Sequence, residues 1–174
     1  DVVTYESLKP RIKAFTSVAE LINYFSTQDD LKPFLERWTL LYSSESLFEG
    51  AISYHHPRII LRKGPLFIGL SQDPAFPEAF RAVEFIEFKP DASFSFHRLD
   101  YSKSGGAFTD NDKSCADCHG EDSRPIWAEY PLWPGAYGGN DDRLAMKPKL
   151  DGFYKQGEEF VKFVKSRSGV YERL

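Results

Sequence analysis

Four apolar runs fall in two pairs between residues 58 and 101, and they constrain the fold more than any other feature of the chain. Arg58-Ile59-Ile60-Leu61 and Leu66-Phe67-Ile68-Gly69-Leu70 flank a Lys63-Gly64 turn, the pattern of a β-hairpin. Val83 to Phe88 and Phe94 to Tyr101 flank Pro90-Asp91 in the same way. A lone hairpin is marginal in water, so the two are expected to pair into a four-stranded antiparallel sheet. Residues 71–81 hold Pro74 and Pro77 and are expected to cross from one hairpin to the other.

Helical signals flank this sheet. Ser17-Val18-Ala19-Glu20 has the form of a capping box and opens a short helix with Leu21, Ile22, Tyr24 and Phe25. Leu31, Phe34, Leu35, Trp38, Leu41 and Tyr42 recur at the spacing of one helix face. That spacing predicts a second amphipathic helix, with Pro33 in its first turn. A last helix is expected over about 157–167, with Phe160, Val161, Phe163 and Val164. Residues 102–114 read as a polar linker, and 115–150 mix Gly, Pro and aromatic residues with no period. Such a stretch needs something to pack on. The expected fold class is α+β, with N-terminal helices, a small antiparallel sheet and a mainly helical or loop C-terminal part. The 174 residues suit one domain, with a subdivision into 1–104 and 105–174 left open.

Composition excludes several functions. A net charge of -4 speaks against a basic nucleic-acid surface. No apolar run approaches the roughly 20 residues of a membrane-spanning helix. Aromatic residues make up 16%, which suits a Phe-packed sheet or a large flat apolar ligand. Asp1 is not an initiator Met, which fits either a removed leader or a late start.

The chemistry concentrates in Cys115-Ala116-Asp117-Cys118-His119. C-x-x-C-H is the attachment signal for c-type haem. Two thiols at this spacing reach the two vinyl groups of one porphyrin edge, and the next residue supplies an axial imidazole to the iron. A helical turn would bring all three groups to one face. Chance explains the pattern poorly: two cysteines in 174 residues lie three apart in about 1 arrangement in 90, and a His follows in about 1 in 40. Other chemistries of the same residues are a redox disulfide, a zinc site joining Cys115 and Cys118 to His55 and His56, and plain reduced thiols.

On this motif the chain resembles the c-type cytochromes. Over 115–138 it is also similar to the mitochondrial-type, class I cytochromes c. That family places a Pro about a dozen residues after the ligand His, and its carbonyl holds the imidazole N–H. Pro131 lies 12 residues past His119 (131 − 119), and Pro131-Leu132-Trp133-Pro134-Gly135-Ala136-Tyr137-Gly138 follows the family's Pro-x-x-x-Gly-x-aromatic-Gly. The chain departs from the family in the 114 residues before Cys115 and in lacking a Met where the family has its distal ligand. A second likeness is to the β-rich cytochromes of the c′-beta type. They carry the motif late, after a largely antiparallel sheet, and keep an open iron face.

The resemblance implies one covalently bound haem c, held by Cys115 and Cys118 with His119 on the iron. Trp127, Tyr130, Trp133 and Tyr137 would wall the porphyrin. Arg124, Arg143 and Arg58 are candidates for its propionates. The distal iron ligand decides the function. Met146, His55, His56 and His97 are the candidates, beside an open or water-bound face; His97 shares a strand face with Ser95 and Leu99, not with Phe94 and Phe96. The leading expectation is one-electron transfer between redox protein partners in a periplasmic or other extracytoplasmic compartment. One alternative is an open-faced haem protein that binds or activates small molecules, as in gas binding or peroxidase chemistry. The other is a haem-stapled structural module, with oligomers or larger assemblies left open. Asp110, Asp112, Asp117, Glu121 and Asp122 crowd the motif and would steer a basic redox partner to it.

Overall fold

The computed structural model describes residues 2–42, 51–101, 106–111, 114–115, 119–120, 151–166 and 168–174, with the side chains of 151–157 left aside. The fold is α+β. Helices α1 (Tyr5–Ile12), α2 (Val18–Thr27) and α3 (Lys32–Leu35) precede strands β1 (Trp38–Leu41), β2 (Arg58–Lys63) and β3 (Leu66–Leu70). Helix α4 (Pro77–Arg81) leads into β4 (Ala82–Phe88), β5 (Phe94–Asp100) and β6 (Ala107–Asp110). Helix α5 (Asp151–Lys165) and a 3-10 turn (Gly169–Arg173) follow.

The strands form one antiparallel sheet in sequence order, β1 to β6. Both predicted hairpins are present, β2–β3 and β4–β5. Gly64 turns the first with φ +54, a left-handed conformation that Gly adopts without strain. Residues 71–81 do connect the hairpins, which lie side by side through β3 and β4.

The sheet has six strands rather than the expected four. Both extra strands are edges defined only by pairing. The helix expected over 31–42 ends at Leu35, and Trp38–Leu41 pairs with Leu61 to Arg58 as β1. The apolar spacing of Trp38-Thr39-Leu40-Leu41 fits either period. Pairing decides, because it lays Trp38 and Leu40 beside Leu61 and Ile59 on the buried face. The linker expected over 102–114 contains β6, whose Phe108 pairs with Leu99. Helix α5 starts at Asp151, earlier than expected.

Strand alternation gives the sheet two faces. The first carries Leu40, Ile59, Leu61, Leu66, Ile68, Leu70, Val83, Phe85 and Leu99, all buried. Tyr5, Leu8 and Ile12 of α1, with Leu21, Ile22 and Phe25 of α2, join them in one core. Thr4 caps α1 by accepting from the Ser7 N–H, and the Ser7 hydroxyl in turn caps Thr4 N–H. At α2, Ser17 accepts from Glu20 N–H as its motif requires, while the Glu20 carboxylate reaches Thr16 N–H.

The C-terminal elements close on this core. Phe160 of α5 packs on Tyr42 with ring centroids 4.9 Å apart. Tyr171 lies edge-on to Phe163, and its hydroxyl donates to the Pro57 carbonyl at 2.8 Å. Arg173 donates to the Asn23 side chain on α2 at 2.7 Å.

Candidate functional site

The second face of the sheet is mixed where the first is apolar. Alternation puts Phe94, Phe96 and Arg98 of β5 on it, beside Glu84, Ile86 and Phe88 of β4. One cross-strand row runs Arg62, Phe67, Ile86, Phe96. The next holds Gly69, Glu84 and Arg98. The Arg58 guanidinium crosses directly above Gly69 to pair with Glu84. A Cβ on Gly69 would stand 2.8 Å from its terminal nitrogen, so a larger residue here would make the guanidinium shift. Arg58, a candidate for propionates, thus already holds a protein carboxylate.

His119 meets this face at Phe96. The two rings lie 4.5 Å apart between centroids, inclined at 39°. Phe96 is 6% exposed, the deepest aromatic residue of the second face. Ser114, Cys115 and His119 carry helical backbone, and Cys115 and His119 are half-buried. Cys118, Arg124, Trp127, Tyr130, Pro131, Trp133, Tyr137, Arg143 and Met146 lie outside the described residues, as do Asp112, Asp117, Glu121 and Asp122.

The other three histidines stand elsewhere. His97 follows Phe96 on β5 and so points to the opposite face, with Ser95 and Leu99 as its position predicts. Its ring stacks on Tyr5 at 3.7 Å and 14°. The His55 ring lies tilted against Tyr54, and His56 Nδ1 lies 3.4 Å from an Asp73 carboxylate oxygen. Both precede Arg58, whose row lies four residues along β5 from Phe96 and three strands away. By strand spacings that is roughly 20 Å in the plane of the sheet.

A polar corner on the first face was not legible in the sequence. Asp110 of β6 accepts from the Tyr5 hydroxyl at 2.5 Å and from the Lys9 ammonium, and His97 Nδ1 lies 3.3 Å away. The carboxylate therefore sets the His97 proton on Nδ1. Nε2 is buried, and among the described residues it has no hydrogen-bond partner. Burial lowers the His97 pKa against the opposing pull of Asp110. Lys9 first, then Tyr5, hold the Asp110 carboxyl below its ordinary value. Burial raises the Tyr5 hydroxyl, and its bond to Asp110 raises it further. Beside this group Glu87, 2% exposed, accepts the Tyr5 N–H at 3.0 Å and pairs with Lys89. Asp110 therefore clasps the sheet edge to α1.

Among the described residues no three His, Cys, Asp or Glu side chains form a group fit to hold a metal ion. Among them, too, no helix is long and apolar enough to cross a membrane. Comparisons with protein families, curated proteins and solved structures found no match.

Proposed function

We propose that the chain is a mono-haem c-type cytochrome that passes single electrons between protein partners outside the cytoplasm. The observation that carries the reading is the placement of His119. It belongs to a C-x-x-C-H sequence, has helical backbone as Cys115 does, and rests its imidazole on an apolar residue of a rigid sheet. These residues suit the group: Cys115 and Cys118 would hold the porphyrin edge by thioether bonds, and His119 would ligate the iron. When bound, the iron supplies the one-electron chemistry. The chain supplies the tether, the axial imidazole and an apolar wall that keeps water from it.

A second reading is an open-faced haem protein that binds or activates small molecules. The positions of the remaining histidines favour it. His97 lies on the far face of the sheet, and His55 and His56 at its distant end. With those three set apart, Met146 or an open face remains for the distal side.

The test is an absorption spectrum of protein purified from a host competent in haem attachment, taken after acid–acetone extraction. Colour that stays with the chain, with sharp reduced bands and low-spin iron, supports electron transfer. Retained colour with high-spin iron selects the second reading. A colourless chain overturns both, and zinc analysis follows.

A further inference from the structure

We propose that Phe96 is the positioning residue of His119, and that the row Phe67, Ile86 and Phe96 makes the sheet's second face the proximal wall of the site. The proposal rests on the haem reading above. Among the described residues, the motif meets the sheet ring against ring, His119 on Phe96. Phe96 is also nearly sealed from water on a face that otherwise mixes exposed and charged residues; Phe88, one row along, is 45% exposed. An imidazole has two freedoms that decide its quality as a ligand, rotation about its axis and tilt. A ring held at 4.5 Å on a six-stranded sheet restricts both. Strand β5 fixes Phe96 in turn, because its neighbours Ile86 and Phe67 are paired in register. The same wall excludes water from one side of His119, which disfavours the more charged, oxidised state of anything it ligates.

The experiment uses the full holoprotein in four forms: wild type, Phe96→Ala, Phe96→Leu and Phe88→Ala. Redox titration and low-temperature electron paramagnetic resonance are the readouts. In Phe96→Ala the midpoint potential is expected to fall, with a tenfold change in the reduced-to-oxidised ratio at fixed ambient potential, about 59 mV for one electron. The resonance spectrum is expected to broaden as the imidazole takes several orientations. Phe96→Leu restores most of the potential, since it restores the wall, and Phe88→Ala changes neither readout. Should Phe96→Ala fail to fold, Phe96→Leu against Phe96→Tyr supplies the comparison: an unbroadened spectrum in Tyr and a broadened one in Leu supports positioning by a ring. A wild type that carries haem, with potential and spectrum unmoved by every Phe96 substitution, overturns this proposal and leaves the haem reading intact. A wild type without haem overturns both.

Discussion

The two faces of one sheet do different work. Phe85 and Ile86 are neighbours on β4, yet Phe85 is sealed beneath Tyr5 while Ile86 is half-buried in the row beside Phe96. The first face is a closed apolar core under α1 and α2, with one polar corner at Tyr5, His97 and Asp110. The second carries an ion pair laid over a glycine and an aromatic residue that receives His119. Strict alternation makes this possible: each strand can commit alternate residues to folding and leave the rest to a site.

The sharpest way to break the comparison is to truncate the two neighbours. Phe85→Ala is expected to cost about 3–5 kcal/mol, and at about 2–4 °C per kcal/mol for a chain of this size the melting temperature falls by roughly 10 °C or more. Ile86→Ala should cost about 1 kcal/mol, since only part of its side chain leaves water on folding. Thermal unfolding of the two variants decides. Equal losses would mean that the second face is a core of the same kind.

A smaller effect sharpens the account of the second face. Gly69→Ala would normally strengthen a strand by roughly 0.5–1 kcal/mol. Here its Cβ meets the Arg58 guanidinium at 2.8 Å and forces it from Glu84. The expected result is a loss of about 1–2 kcal/mol. Arg58→Ala should cost a similar amount, and the double variant less than the sum of the two. Additive losses in denaturant unfolding would remove the ion pair from the explanation.

The smallest effect tests the polar corner. The folded state lowers the His97 pKa below its ordinary 6.5, so its contribution is full above that value and is lost as pH falls through 6.5 toward the folded pKa. Asp110 is also lowered, so its contribution disappears as pH falls from 3.8 toward its own folded pKa. Lys9, Glu87 and Lys89 face the same corner. Melting temperature should therefore drop on acidification from pH 7, and His97→Gln should flatten the part just below 6.5. Parallel curves for wild type and variant would show that the corner does not sense protons.

What the sequence showed depended on how locally each feature is specified. The hairpins were legible because Lys63-Gly64 and Pro90-Asp91 separate runs of strand-forming residues. Strand β1 was not, since Trp38, Leu41 and Tyr42 match a helix face and only Ile59 and Leu61 reveal the pairing. Strand β6 is four residues long and gains its identity from β5. At the candidate site, the spacing of Cys115 and His119 was readable in the sequence, while the contact of His119 with Phe96 was not. Phe96 was hidden because one Phe on a strand looks like any core residue until the occupied face is known. The Tyr5–Asp110 bond joins residues 105 positions apart, and no local pattern announces it.

Asp110 at the end of β6 is pinned to α1, and Phe160 of α5 is pinned to Tyr42. A segment fastened at its two ends tolerates insertion well, because doubling a loop's length costs only about 0.6 kcal/mol in closure entropy. The Cys115–His119 motif lies between those two points in the chain. A longer segment between them would therefore add little to the cost of closing the chain there.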